Sequence, residues 1–109
     1  MNFIYFIEAV DTDYIKIGRA NNPDKRLKGL STGSPHTLKL LLFVPGGSEQ
    51  EKKIHEKFAH LRSNGEWFRK SPELMKYIND NRKAFDFIES IYLESSGDLR
   101  STVNGVLPK

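Results

Sequence analysis

Residues 3–10, FIYFIEAV, are a run of β-branched and aromatic side chains that favours a strand. Asp11-Thr12-Asp13 is a turn signal. Residues 14–18, YIKIG, then alternate with the period of a strand, Tyr14, Lys16 and Gly18 on one face and Ile15 and Ile17 on the other. The short connection makes the two runs a hairpin. Gly18 ends the second strand and lets backbone or ligand approach closely. Residues 21–30, NNPDKRLKGL, predict a short helix: Asn22 can cap it, Pro23 suits its first position, and Leu27 and Leu30 turn inward. After a loop over 31–36, residues 37–44, TLKLLLFV, form the next strand, ended by Pro45-Gly46-Gly47. The unbroken apolar run predicts a central strand.

From 49 to 62 the spacing is helical, with Ile54, Phe58 and Leu61 inward and Ser48 or a neighbour as the cap. Glu51 and His55, four apart, lie on one side of that helix, and Arg62 lies near it. Gly65-Glu66-Trp67-Phe68 reads as a short extended or turn segment, in which Trp67 and Phe68 close the core or stack on a nucleobase. Ser71-Pro72 opens a longer helix, about 72–93, with Leu74, Ile78, Phe85, Ile88 and Tyr92 as its apolar stripe. Residues 95–109 show no period and read as a flexible tail. The order ββαβαα predicts an α+β domain over 1–94, a small three-stranded, mainly antiparallel sheet flanked by helices.

Composition narrows the chemistry. The 109 residues suffice for one domain, and no cysteine is present. A disulfide framework, a thiolate zinc site and a cysteine nucleophile are therefore excluded, and a reducing, cytoplasmic setting is expected. No apolar run approaches the ~20 residues that span a bilayer, so no membrane role is expected. The first residues carry acids and no basic leader, unlike a signal peptide. The formal charge of +3 is modest, but the basic residues fall in two blocks. Lys16, Arg19, Lys25, Arg26, Lys28 and Lys39 stand against Asp24 alone, and a second block runs from Lys52 to Lys70. On a small domain two such blocks can make one phosphate-facing surface. Arg19, Lys25, Lys28, Lys52 and Lys53 are the candidate contacts to a nucleic-acid backbone.

Four residues stand out in this layout: Tyr5 on the first strand, Lys16 on the second, Arg26 on the first helix and Glu51 on the next. Their order resembles the GIY-YIG nuclease superfamily. Phe3-Ile4-Tyr5 resembles its first motif, with Phe3 where the family has glycine. Lys16-Ile17-Gly18 resembles the second, with Lys16 in the tyrosine's place. Arg26 follows Gly18 at the spacing of the family's helix arginine, and Glu51, in Glu-Lys-Lys-Ile-His, matches its metal-binding glutamate. The phage and bacterial branch, with its KIG…R…E-x-x-x-H…G-E-W-F run, is similar over residues 3–68.

The resemblance implies hydrolysis of DNA phosphodiesters with one divalent ion, Mg²⁺ or Mn²⁺. Glu51 would be the metal ligand, Arg26 would meet the charge on the phosphoryl oxygens, and Tyr5 would be base or relay. Lys16 on the adjacent strand would favour the phenolate by charge. His55 has three open roles: partner of Glu51, phosphate contact, or base. The histidine spacings fit no common zinc pattern. A DNA-binding module that has lost turnover is the alternative, and a protein-interaction domain a third reading. Specificity would come from loops 31–36 and 45–48, from a homodimer, or from a targeting partner.

Overall fold

The computed structural model describes residues 1–83. Contacts divide the chain into two compact units, Met1–Ile78 and Asn79–Lys109, and the residues discussed below lie in the first. The expected domain end at 94, the tail beyond it, and Phe85, Ile88 and Tyr92 fall outside the described residues.

Two strands, β1 (Phe3–Ala9) and β2 (Tyr14–Ala20), form the expected hairpin, in register from Phe3↔Ala20 to Ala9↔Tyr14. The second strand does not end at Gly18. It runs two residues further because Phe3 and Ile4 supply backbone partners for Ala20 and Arg19. Helix α1 (Pro23–Thr32) starts on Asn22, whose side chain accepts the Lys25 N–H at 3.1 Å, and Pro23 takes the first turn. Strand β3 (Leu38–Pro45) pairs antiparallel with β1, with a register shift between Phe6 and Ile7.

The sheet has five strands rather than three, in the order β3-β1-β2-β5-β4. The two added strands, β4 (Arg62–Asn64) and β5 (Trp67–Arg69), form a hairpin where only a turn is expected. Gly65, at φ +57°, turns it. Three-residue strands are too short to show an alternation. A second correction concerns β3, which lies at the sheet's edge instead of its centre. Its apolar run is only partly covered, with Leu42 buried in the core and Phe43 exposed.

One face of the sheet carries Ile4, Phe6, Ile15, Ile17, Leu42 and Phe68 into the core. They meet Ile54 of helix α2 (Ser48–Lys57), Phe58 and Leu61 around a 3₁₀ turn at Ala59–Leu61, and Leu74 and Ile78 of the helical segment 72–83. Helix α2 is shorter than expected because Phe58, at φ −110° and ψ 22°, leaves helical geometry to enter that turn. Gly47, not Ser48, is its cap, with the Gly47 N–H donating to Gln50 Oε1 at 2.8 Å. The other face carries Tyr5, Ile7 and Ala9, all buried, and α1 packs over β3 and β1. No helix among the described residues is long and apolar enough to cross a membrane.

Candidate active site

The site is built from the edge of β2. Strand β5 pairs with β2 only from Tyr14 to Lys16. Beyond that the backbone of β2 needs other partners, because buried N–H and C=O groups are rarely left unpaired. The Ile17 N–H donates to the Glu66 carbonyl at 2.9 Å. The Ile17 carbonyl accepts from His55 Nε2 at 2.8 Å. The turn of the β4–β5 hairpin and the last turn of α2 are thereby pinned to the stretch of β2 that holds Gly18.

Gly18 faces Tyr5 in the β1–β2 register. A Cβ at this position would lie 2.5 Å from Tyr5 Cζ and 2.9 Å from Glu66 Oε1. The missing side chain is thus the space that the phenol occupies beside the Glu66 carboxylate. Burial, with Glu66 and Glu51 nearby, pushes the Tyr5 phenol up to about 12, while Arg26 acts in the opposite sense. Of these charged groups, Glu66 is the one placed beside the ring by geometry; Glu51 shares a cleft with Glu66, and Arg26 lines a separate one.

Lys16 is engaged by the carboxylate that sits beside the phenol. Its ammonium pairs with Glu66 at 3.3 Å and lies 5.5 Å from the centre of the Trp67 ring. Burial is the largest influence on the phenol that Lys16 is expected to ionise, and it acts to raise it. Arg19, expected on the DNA-facing surface, has its Nε 3.3 Å from Glu51 Oε1. His55 Nε2 sits 4.0 Å from Glu51 Oε2, and Arg62 Nη2 lies 3.2 Å from His55 Nδ1. With Nε2–H donating to Ile17 and Nδ1 accepting from Arg62, both ring nitrogens are engaged. This network holds α2, and with it Glu51, against β2. His36 and His60 lie elsewhere, paired with Asp11 and Glu73.

Arg26 is exposed on α1, and its guanidinium makes no hydrogen bond or ion pair among the described residues. Lys25 and Arg26 line one shallow cleft with Asn21 and Asn22. Lys28 is exposed on the same helix, and Lys52 and Lys53 are exposed on α2. A larger cleft, about 610 Å³, is lined by Glu51, Lys52, His55, Arg62 and Glu66 among others. Glu66 and Arg62 are the members that sequence reasoning passes over. The signal for Glu66 is Gly65 before it, which at φ +57° takes the first central position of a two-residue hairpin loop and leaves Glu66 the second.

The profile of the T5orf172 domain family matches residues 2–89. The chain belongs to the T5orf172 domain family. No curated protein and no solved structure matches the chain. The T5orf172 family is associated with nuclease-like domains, so membership points to a nuclease-like or DNA-binding function. The matched span takes in every element that contributes to the two clefts.

Proposed function

We propose that this T5orf172 domain is a cytoplasmic DNA endonuclease of the GIY-YIG type, dependent on Mg²⁺ or Mn²⁺, with Tyr5, Arg26 and Glu51 as its working groups. The observation that carries the reading is that the buried Tyr5 phenol sits against Gly18 beside the Glu66 carboxylate, and that Glu66 and Glu51 line one cleft.

The donor set suits a hard ion with few protein ligands. Mg²⁺ binds through one or two carboxylates plus substrate phosphates and keeps several waters. Glu51 and Glu66 line one open cleft, and no cluster of three or more His, Cys, Asp or Glu side chains placed to hold a metal is found among the described residues. Glu51 is the residue that would hold the ion. When bound, the ion supplies polarisation of the phosphoryl group and stabilisation of the leaving oxygen. Arg26, whose guanidinium has no hydrogen bond or ion pair among the described residues, presents a planar fork to the phosphoryl oxygens, where charge gathers in the transition state. Tyr5 acts as a relay in its neutral form: its oxygen accepts the water's proton as its own passes toward the Glu66 carboxylate. Lys16 positions Glu66. His55 positions Glu51.

The second reading, a DNA-binding module without turnover, draws on the Arg19–Glu51 pair, which occupies the carboxylate that the ion needs. One experiment separates the two. Plasmid and single-stranded DNA are incubated with Mg²⁺, Mn²⁺ or a chelator. Nicking that requires the metal and is lost in Glu51→Ala, Arg26→Ala and Tyr5→Phe is the expected result. DNA that is retarded in a gel but stays intact under every condition gives the second reading. Sequence choice would then rest with the loops, a homodimer or a targeting partner.

A further inference from the structure

Trp67 and Phe68 are neighbours in sequence but end on opposite faces. Phe68 is fully buried in the core, whereas Trp67 is half-exposed and opposite Lys16. A core role for both residues therefore holds for Phe68 alone. With Tyr14, Trp67 lines an open cleft of about 530 Å³, closed on its other sides by Ser34, Pro35, His36 and Asn64. Tyr14 is one of the few large apolar side chains left exposed. Lys16 touches the indole but does not line this cleft.

The cleft opens on the same face of the sheet as the candidate site. Tyr14, Lys16 and Gly18 share one face of β2, and Tyr5 lies over Gly18. Trp67 stands opposite Lys16, two residues along β2 from Gly18, which is roughly 7 Å at the rise of a strand. That distance is comparable to the extended backbone of a single nucleotide. We propose that the Trp67–Tyr14 cleft receives an unpaired nucleobase next to the phosphate held at Tyr5 and Arg26, so that the protein engages single-stranded or locally opened DNA. The inference rests on the DNA reading above and adds the form of DNA that is taken.

The chemistry of the lining favours a base over an apolar side chain. Two aromatic surfaces offer stacking to any base without regard to sequence. The Asn64 amide makes no hydrogen bond among the described residues and stands at the rim, able to meet a base edge. The Lys16 ammonium lies between the cleft and Glu66, near the path that a backbone phosphate would follow. Inside a duplex the bases stack on each other, and the cleft has nothing to hold.

Trp67 is the chain's one tryptophan, so its emission reports this cleft directly. The full chain is titrated in chelator with a short oligothymidylate and with a blunt duplex of equal length. Binding is followed independently by the anisotropy of labelled DNA. The single strand should quench Trp67 saturably and the duplex should not. Tyr14→Ala, at an exposed position, should weaken single-strand affinity by roughly 5- to 150-fold, the range that base–aromatic stacking is worth. Trp67→Phe should retain most of that affinity and Trp67→Ala should lose it, with duplex affinity unchanged throughout. Single-strand binding without quenching, or equal quenching by both DNAs, overturns the stacking site and leaves the nuclease reading standing. Anisotropy that detects no binding of either DNA overturns both.

Discussion

Tyr5 is the side chain on which the site turns. Its ring is buried because β1 alternates and α1 covers its face, and burial disfavours the phenolate more than Arg26 favours it. The folded value, about 12, lies above the ordinary value of 10. For a group raised in this way the stabilisation is fully present below pH 10 and is lost as pH rises through about 12. In an ultraviolet titration, wild type minus Tyr5→Phe should therefore show a phenol ionising near 12, accompanied by alkaline loss of stability. A difference curve centred at 10 would show that the phenol is open to water. Gly18 is the matching constraint. Its φ is not positive, so the requirement is for space and not for an unusual backbone. Gly18→Ala sets a methyl against a ring that has nowhere to go. The expected cost is about 1–3 kcal/mol in urea unfolding, the usual range for overpacking, together with loss of nicking. An unchanged midpoint would mean that the ring moves freely. The pairing of Gly18 with Tyr5 is foreshadowed by the strand alternation, but the carboxylate beside them is not. Glu66 is 48 residues from Gly18, and only the β4–β5 hairpin brings it back.

Helix α2 is held to the sheet in two ways, and they differ in how readable they are. Ile54 packs into the core and follows from helical spacing. The other hold is His55, which supplies the partner that β5 fails to give Ile17. No sequence pattern announces an unpaired carbonyl, because it depends on where a neighbouring strand stops. The β4–β5 hairpin is hidden for a related reason: three residues cannot display a period of two, and Gly65 alone marks its turn. The edge position of β3 is obscured by its own hydrophobicity, since a half-covered apolar run reads in sequence like a buried one. The His55 contact makes a specific expectation. His55→Ala strands the Ile17 carbonyl at a cost of about 1–3 kcal/mol, the desolvation penalty of an unsatisfied buried group. It also loosens the hold of α2 on the sheet, so that cleavage should fall while hydrogen exchange accelerates at the amides of residues 51–57. Faster exchange elsewhere with α2 still protected would remove His55 from this role.

Across the whole charge distribution, the two basic blocks are less uniform than their composition implies. Arg19 is paired with Glu51, and Lys16 is paired with Glu66. Both pairs span long stretches of chain, which is why a count of charges along the sequence treats all of these cations as available. Among the remainder, Lys25, Arg26 and Lys28 share α1, and Lys52 and Lys53 share the exposed side of α2. The salt dependence of DNA binding distinguishes spent cations from free ones, since each phosphate contact contributes about 0.7–0.9 to the slope of log K against log salt, for single strands and duplex respectively. The double change Lys25→Ala and Lys28→Ala should therefore reduce the slope by about 1.4–1.8, and Lys52→Ala with Lys53→Ala by a similar amount. Arg19→Ala should barely change it, because its charge is already met by Glu51. A slope that drops by a full contact in Arg19→Ala would mean that DNA draws Arg19 off the carboxylate. That movement would also release Glu51 for a metal ion, so the same titration repeated with Mg²⁺ should then show Arg19 contributing more to binding than it does in chelator.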